Sequence, residues 1–282
     1  MKKTVLVLAL LTTLTAFAQK KKIHFQSVFR PDKEYTIAVN NFMHTTMNVS
    51  GPDSSLRLLR ARGLSFPVNM DMIYNIEAFV NTGSVGKGRS FPFELDYRKM
   101  TIAQIYNGYR KVMDGPLQGA VVKGHYDAHR KMEIDTIISD KINNAGRKLL
   151  RNAIAGLEHA ISFPKKPMKV GDHFVMKVPM NMPVAGFNTV HFVVNTEYLL
   201  TSIGNNEAHF KVKQEVEMDD ASQGKVKIQA TGKGEGMVVY DLSARYITQY
   251  ETALHMLVDV KMGGLDMQMK IVSTANQHVR VQ

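Results

Sequence analysis

Period-two alternation of apolar and polar residues runs through nearly the whole second half of this chain. It constrains the fold more than any other feature. From Val190 the even positions are Val190, Phe192, Val194, Tyr198 and Leu200, with His191, Asn195 and Glu197 between them. Ala208, Phe210, Val212, Val216 and Met218 repeat the pattern against Glu207, Lys211, Lys213 and Glu215. Val226 and Ile228 continue it, then Met256, Val258, Val260 and Met262, then Leu265, Met267, Met269 and Ile271. Successive strand side chains point to opposite faces, so this pattern describes an antiparallel sheet with one wet face and one apolar face. The apolar face must be covered by something.

The first half reads as β-rich as well. Tyr35, Ile37, Val39, Met43, Met47 and Val49 alternate on odd positions, and Val68, Met70, Met72, Tyr74, Ile76, Ala78 and Val80 on even ones. Less regular strands are expected around 90–106, 118–127 and 130–138. Residues 50–65 read as a connection with a short basic helix at Leu56–Arg62. Gly263-Gly264 reads as a two-residue hairpin turn that sets Met262 opposite Leu265. Both lie on the apolar faces assigned independently.

One amphipathic helix is expected from about Asp140 to Ile161. Ile142, Ala145, Leu149, Ala153, Ile154, Leu157 and Ile161 share one face, Ser139 or Asp140 caps the start, and Pro164 and Pro167 close the end. The fold class expected is therefore mainly β: a long-stranded antiparallel curved sheet or half-barrel built from two β-rich halves, with the helix on the apolar face. The divisions are 1–18, 19–138, 139–167 and 168–282. Tyr126-Asp127 and Tyr240-Asp241, each following a Gly-containing strand, are a weak internal echo of one half in the other.

Residues 1–18 read as a secretory signal. Lys2 and Lys3 precede an apolar run from Val5 to Leu14, and Ala16-Phe17-Ala18 is an A-x-A cleavage site that leaves Gln19 first. The expected location is periplasmic or extracellular. The chain has no cysteine, which excludes disulfides, thiol catalysis, Cys-ligated metals and a Cys-borne lipid anchor at the cleavage site. The 264 mature residues (282 − 18) suffice for a core without disulfides. The formal charge of +11 becomes +9 without Lys2 and Lys3 (11 − 2). Export argues against nucleic acid as the partner. Anionic lipid or glycan surfaces and a merely solubilising charge are the two readings left open.

Methionine is the compositional anomaly, at 18 residues with no tryptophan. Met176, Met180, Met182, Phe192, Met256, Met262, Met267 and Met269 are the candidate ligand-binding residues, because thioethers adapt to varied apolar partners. The competing reading is an ordinary core. Met-x-Met pairs at 70/72, 180/182 and 267/269 also match soft Cu(I) ligands, but each continues a longer apolar stripe that packing explains. Gly232, Gly234 and Gly236 fall on the apolar face, either to curve the sheet or to admit a ligand chain. His125, Asp127 and His129 share one strand face at i, i+2 and i+4, a metal-compatible spacing or plain solvent-facing polarity. Gly83-Ser84-Val85-Gly86-Lys87-Gly88 lacks the phosphate-loop spacing and reads as a hairpin turn. No local catalytic motif is present, and no cofactor or metal site is expected.

FPKKPMKVGDHF ahead of long strands, the GKGEGMVVYD strand and the A-x-A site before glutamine resemble an exported Bacteroidota family of unknown function. That resemblance covers about residues 163–282 and implies no catalytic residues. In shape, a long-stranded sheet with a helix on its apolar face is similar to the LolA-like half-barrels that carry lipoproteins or lipids. A strand of 13 residues spans about 43 Å, whereas a 22-residue helix is about 33 Å long and roughly 10 Å wide. One helix cannot cover such a sheet. The function expected is an exported envelope protein that binds an apolar or amphipathic ligand on a Met-rich concave face, without enzymatic activity and with at most peripheral membrane contact. The alternative is a non-catalytic structural module that docks an envelope protein.

Overall fold

The computed structural model describes residues 22–129, 131–143, 146–147, 150, 161–182, 190–218 and 227–282. The expected signal peptide lies outside them. The first half contributes β1 (Glu34–Ser50), β2 (Val68–Thr82), β3 (Phe91–Tyr106), β4 (Tyr109–Asp114), β5 (Val121–Tyr126) and β6 (Met132–Ile138). The second contributes β7 (His173–Met182), β8 (Val190–Gly204), β9 (Glu207–Met218), β10 (Lys227–Asp241), β11 (Tyr246–Met262) and β12 (Leu265–Val281).

All twelve strands form one antiparallel sheet in the order β6-β5-β3-β2-β1-β12-β11-β10-β9-β8-β7, with β4 paired beside β3. The sheet is open rather than closed into a barrel. The chain starts at the centre, meanders out to one edge, crosses to the other edge and meanders back. Its two ends meet where β1 pairs β12, sealed by reciprocal backbone bonds between Glu34 and Gln282 at 3.1 and 2.9 Å.

The alternation fixes which residues share a face. Met256 pairs with Ile271, Ile271 with Thr45 and Thr45 with Met70, so the odd positions of β1 and the even positions of β2 join the apolar stripe of the second half. Met262 pairs with Leu265 across Gly263 and Gly264, whose φ values are +55° and +80°. Those left-handed angles are open to glycine and closed to most residues. The loop Gly83–Gly88 joins paired strands β2 and β3 as a hairpin connection.

Curvature comes from bulges and glycines. Register shifts occur at Glu77/Ala78, Lys123/Gly124, Leu200/Ser202 and Val239/Tyr240, and each bulge bends its strand and adds twist. The glycine stripe of β10 sits where the strands crowd. A Cβ on Gly234 would lie 2.7 Å from the Ala253 carbonyl and 2.8 Å from Gln214 Oε1. A Cβ on Gly232 would lie 2.7 Å from Val216 Cγ2. The bare backbone is therefore filled by neighbouring side chains, and the glycines serve bending and close packing.

Three apolar clusters result. One gathers Tyr35, Val80, Phe93, Val122 and Tyr126 of the first half; Ile142 and Leu150 of the crossover join it. A second gathers Leu200, Phe210, Val212, Val238 and Tyr240 with Phe25, Ile161 and Met168. A third, at the far end of β11, gathers Phe192, Val258, Val260, Met256, Met269 and Ile271, with Met43, Met47 and Met267 against it. The crossover from β6 to β7 thus enters in the cluster of one half and leaves in the cluster of the other.

Helix α1 (Asp53–Ala61) covers the expected basic segment and buries none of its residues. Residues 146, 147 and 150 of the crossover are helical; most of the other positions of the helix expected over Asp140–Ile161, Leu149 included, lie outside the described residues. Its start differs from expectation. Asn143 Oδ1 accepts the Gly146 N–H at 2.9 Å and the Asn143 carbonyl accepts the Arg147 N–H at 2.9 Å, the geometry of an N-cap. Ser139 Oγ instead accepts the Lys141 N–H at 3.2 Å. β6 runs to Ile138, so residues 139–142 are spent on the turn. Arg147 then ties the helix to the strand end by donating to the carbonyls of Ile137 and Ser139. The β3–β4 hairpin was not among the expected elements, although its Asn107-Gly108 turn, with φ values of +44° and +86°, is a strong two-residue hairpin signal.

Candidate functional site: an apolar cavity on the concave face

The sheet curls until its two edges look into one space. A cavity of about 470 Å³ is lined by Met132 of edge strand β6 and Val178 of edge strand β7, with Ile37, Val39, Ile76 and Leu95 from the first half and Val194, Tyr198, Tyr250 and Leu254 from the second. Its size falls within the roughly 300–1,000 Å³ of small-molecule sites. Its residues from β1, β2, β8, β9, β11 and β12 lie on the apolar face assigned by alternation or in phase with it, apart from Tyr246 and Ile247 beyond the β10–β11 turn; no face was assigned in advance for β3, β5, β6 or β7.

A strap closes one end. Residues Ser27, Val28 and Phe29 lie over the cavity, and both flanks of the strap are pinned. Phe25 is 3% exposed and packs edge-on to Phe210 and Tyr240 at 5.1 and 5.0 Å between ring centroids. The Tyr240 hydroxyl donates to the Gln26 carbonyl at 2.8 Å. On the other flank the Arg30 N–H donates to the Tyr35 hydroxyl at 2.8 Å and Thr82 Oγ1 donates to the Arg30 carbonyl at 2.6 Å. Phe29 stacks on Tyr246 at 5.4 Å. The strap therefore joins the two halves across their concave side. The sequence echo has a structural counterpart here: Asp127 accepts the N–H groups of His129 and Lys131, and Asp241 those of Ser243 and Ala244, each turn following a buried tyrosine, Tyr126 or Tyr240.

The cavity wall carries few polar groups. Thr196, Gln214 and Gln277 reach it, with the tyrosine hydroxyls. Gln214 Oε1 is buried against the Gly234 backbone and has no hydrogen-bond donor among the described residues. Burial pushes the Tyr97 phenol up to about 12. Burial, and then the neighbouring Tyr250, push Tyr198 up, and burial raises Tyr246. These phenols are neutral at physiological pH, which keeps the lining uncharged.

The sign of those shifts sets the pH dependence. A phenol whose folded pKa is raised contributes stability that is fully present below its unfolded value, near about 10, and lost as pH rises through the folded value. The expected result is an unfolding midpoint in urea that drops above about pH 10, together with phenolate absorbance that lags behind free tyrosine. Complete titration of all tyrosines at the ordinary value in still-folded protein would contradict this.

The methionines expected to bind ligand sit elsewhere. Phe192, Met256 and Met269 are buried in the cluster at the far end of β11, with Met267 against it. Met262 is half-buried at the Gly263-Gly264 turn, and Met176 packs beside the Phe210 cluster. Met180 and Met182 pair with Phe192 and Val190 in register; their side chains lie outside the described residues. Of those that are described, none lines the cavity; among the described residues its lining methionine is Met132. The cavity lies instead where the apolar stripes are interrupted mid-strand by polar residues: Thr196, Gln214 and Gln277. That in-phase interruption was the available signal.

Two polar groupings are not sites. β5 ends at Tyr126, so His125, Asp127 and His129 do not share a strand face. His125 bonds Asp135 at 3.1 Å, while Asp127 caps its turn. On the convex face His44 Nδ1 lies 2.5 Å from Asp71 Oδ1 and its Nε2 3.1 Å from Thr46 Oγ1, the order of groups in a hydroxyl–imidazole–carboxylate relay. The Thr46 hydroxyl donates to Asn69 Oδ1 at 3.0 Å. That bond directs the hydroxyl proton to Asn69 rather than to the imidazole. β1 is paired on both sides, so its N–H groups are engaged in the ladders rather than available to an oxyanion.

No family model matches this chain and no curated protein matches it, so the resemblance to an exported family of unknown function finds no support there. Among solved structures the chain is similar to one titled "lipid-protein interactions in lipovitellin", at 11% identity and a TM-score of 0.48, over 90% of this chain and 26% of that one. It thus spans about a quarter of the lipovitellin chain. A bacterial polysaccharide outer membrane secretin matches at 9% identity and a TM-score of 0.24, over 86% of this chain and 97% of that one. Neither likeness is close enough to carry a function, and the cavity is the feature that bears on one.

Proposed function

We propose that this protein is exported after removal of residues 1–18 and holds an apolar or amphipathic ligand, a lipid or lipid-like molecule, in the concave cavity. The observation behind this reading is the cavity itself: about 470 Å³ lined by residues of both halves and both sheet edges. A protein interior normally closes to near-crystal density, and an apolar space of this size left by a curved sheet is where an apolar occupant gains most from leaving water.

The test uses the chain recovered from its exported fraction, whose intact mass reports whether it begins at Gln19. A hydrophobic dye is expected to bind saturably and to be displaced by a long-chain fatty acid or a phospholipid. Val39→Trp places an indole into the cavity from a half-buried position, and dye affinity is expected to fall about tenfold or more while overpacking costs about 1–3 kcal/mol of stability. Absence of saturable binding in the parent protein, or unchanged affinity in Val39→Trp, would rule the reading out.

A further inference from the structure

On the outer side of the strap lies a second pocket of about 380 Å³, and Val28 and Phe29 belong to the walls of both. Three arginines converge on it from segments far apart in sequence: Arg30 from the strap, Arg89 from the β2–β3 loop and Arg245 from the β10–β11 turn. The rest of its wall is largely apolar, including Pro31, Val85 and Phe91, and among the described residues no carboxylate lines it. Among the described residues none of the three guanidinium groups forms an ion pair. Arg30 Nη1 donates to the Ser243 carbonyl at 3.0 Å, which holds it toward the Arg245 turn. The carboxylates nearest in sequence are already engaged: Asp32 by the Ser84 hydroxyl, and Asp241 by Asn206 and the turn N–H groups.

We propose that Arg30, Arg89 and Arg245 form an anion site beside the cavity, taking the phosphate or carboxylate headgroup of an amphiphile whose apolar tail lies under the strap. This rests on the cavity reading. Bringing three positive charges together without a partner is unfavourable by mutual repulsion, and an oxyanion relieves it. Guanidinium forks match the geometry of phosphate and carboxylate oxygens, and an apolar wall strengthens the attraction. The shared wall at Val28 and Phe29 places polar and apolar subsites in contact, as a single amphiphile requires.

Displacement of the dye by hexadecyl phosphate and by hexadecanol separates the two readings. Hexadecyl phosphate is expected to bind the parent about tenfold more tightly, the factor that one charge-assisted hydrogen bond supplies, and the preference should shrink as salt rises. The double variant Arg89→Gln/Arg245→Gln, at two exposed positions, is expected to bind both compounds equally at an unchanged hexadecanol affinity. Equal binding of both compounds by the parent, or a preference that survives in the variant, overturns the anion site and leaves the cavity standing. Failure of both compounds to displace dye overturns both. Inorganic phosphate supplies the remaining arm: arginine side-chain resonances that shift with phosphate, together with no preference for the phosphate ester, would make this a free-anion site and overturn the amphiphile proposal.

Discussion

Phe25→Ala is expected to lower the unfolding free energy by about 3–5 kcal/mol and to weaken dye binding in the same sample. Phe25 anchors the strap through Phe210, Tyr240 and Phe163, with ring centroids 5.1, 5.0 and 5.4 Å away. Removing the ring leaves a hole in a cluster whose members Leu200, Val212 and Ala208 are completely buried. The same loss frees residues 26–29 from one flank, because the paired Gln26–Tyr240 hydrogen bonds depend on that packing. Phe29→Ala is the instructive companion. Phe29 is only half-buried, so its removal should cost clearly less stability yet disturb the cavity more directly. Urea unfolding followed in parallel with dye titration reads both quantities. A strap that merely rests on the sheet would give a Phe25→Ala protein with unchanged stability and binding.

Gly236→Val is expected to destabilise by at least about 3 kcal/mol, toward the upper end of single-site effects. A Cβ at this position would overlap the Glu251 carbonyl oxygen and come within 2.7 Å of Thr252 Cγ2 and 2.9 Å of Thr252 Cα. The colliding atoms are largely backbone of β11, a strand held on both sides by β10 and β12, so no rotamer change relieves the clash. Gly204→Val is the matched control. Nothing lies within 4 Å of a Cβ there, and the expected change is within about 0.5 kcal/mol. Thermal unfolding that ranks the two variants equally would show that the β10 glycines are not under packing constraint.

The strands were legible because their signal is local. Successive Cβ atoms point to opposite faces whatever the neighbours do, so Val258, Val260 and Met269 could be placed on a buried face from alternation alone, and they are buried at 0, 1 and 7% exposure. The Gly263-Gly264 turn could be read for the same reason: a two-residue connection leaves one register, and that register pairs Met262 with Leu265. The helix boundary was misread by about three residues because Ser139, Asp140 and Asn143 are equally good caps in isolation. Only the length of β6 decides among them.

The site was less legible. Abundance and polarizability pointed to Met256, Met267 and Met269, yet in a sheet that curls, the residues with most partners are those at the packed end, and these methionines are there. The cavity opens farther along the same strands, at Val39, Ile76, Tyr250 and Gln277, where shorter and more polar residues from several strands fall side by side. No single strand shows that coincidence. It exists only after registers align Gln277 with Val39 and Val39 with Ile76.

What this chain determines by itself is the period, the face and the tight turns, all consequences of backbone geometry over two to four residues. What only the tertiary structure decided is the pairing of β1 with β12, the curl that brings Met132 and Val178 to one cavity, the strap pinned by Tyr35 and Tyr240, and the meeting of Arg30, Arg89 and Arg245. Each of these joins residues tens to hundreds of positions apart. Their placement depends on accumulated twist, bulge position and the exclusion of water from a shared face, quantities that no window of sequence contains.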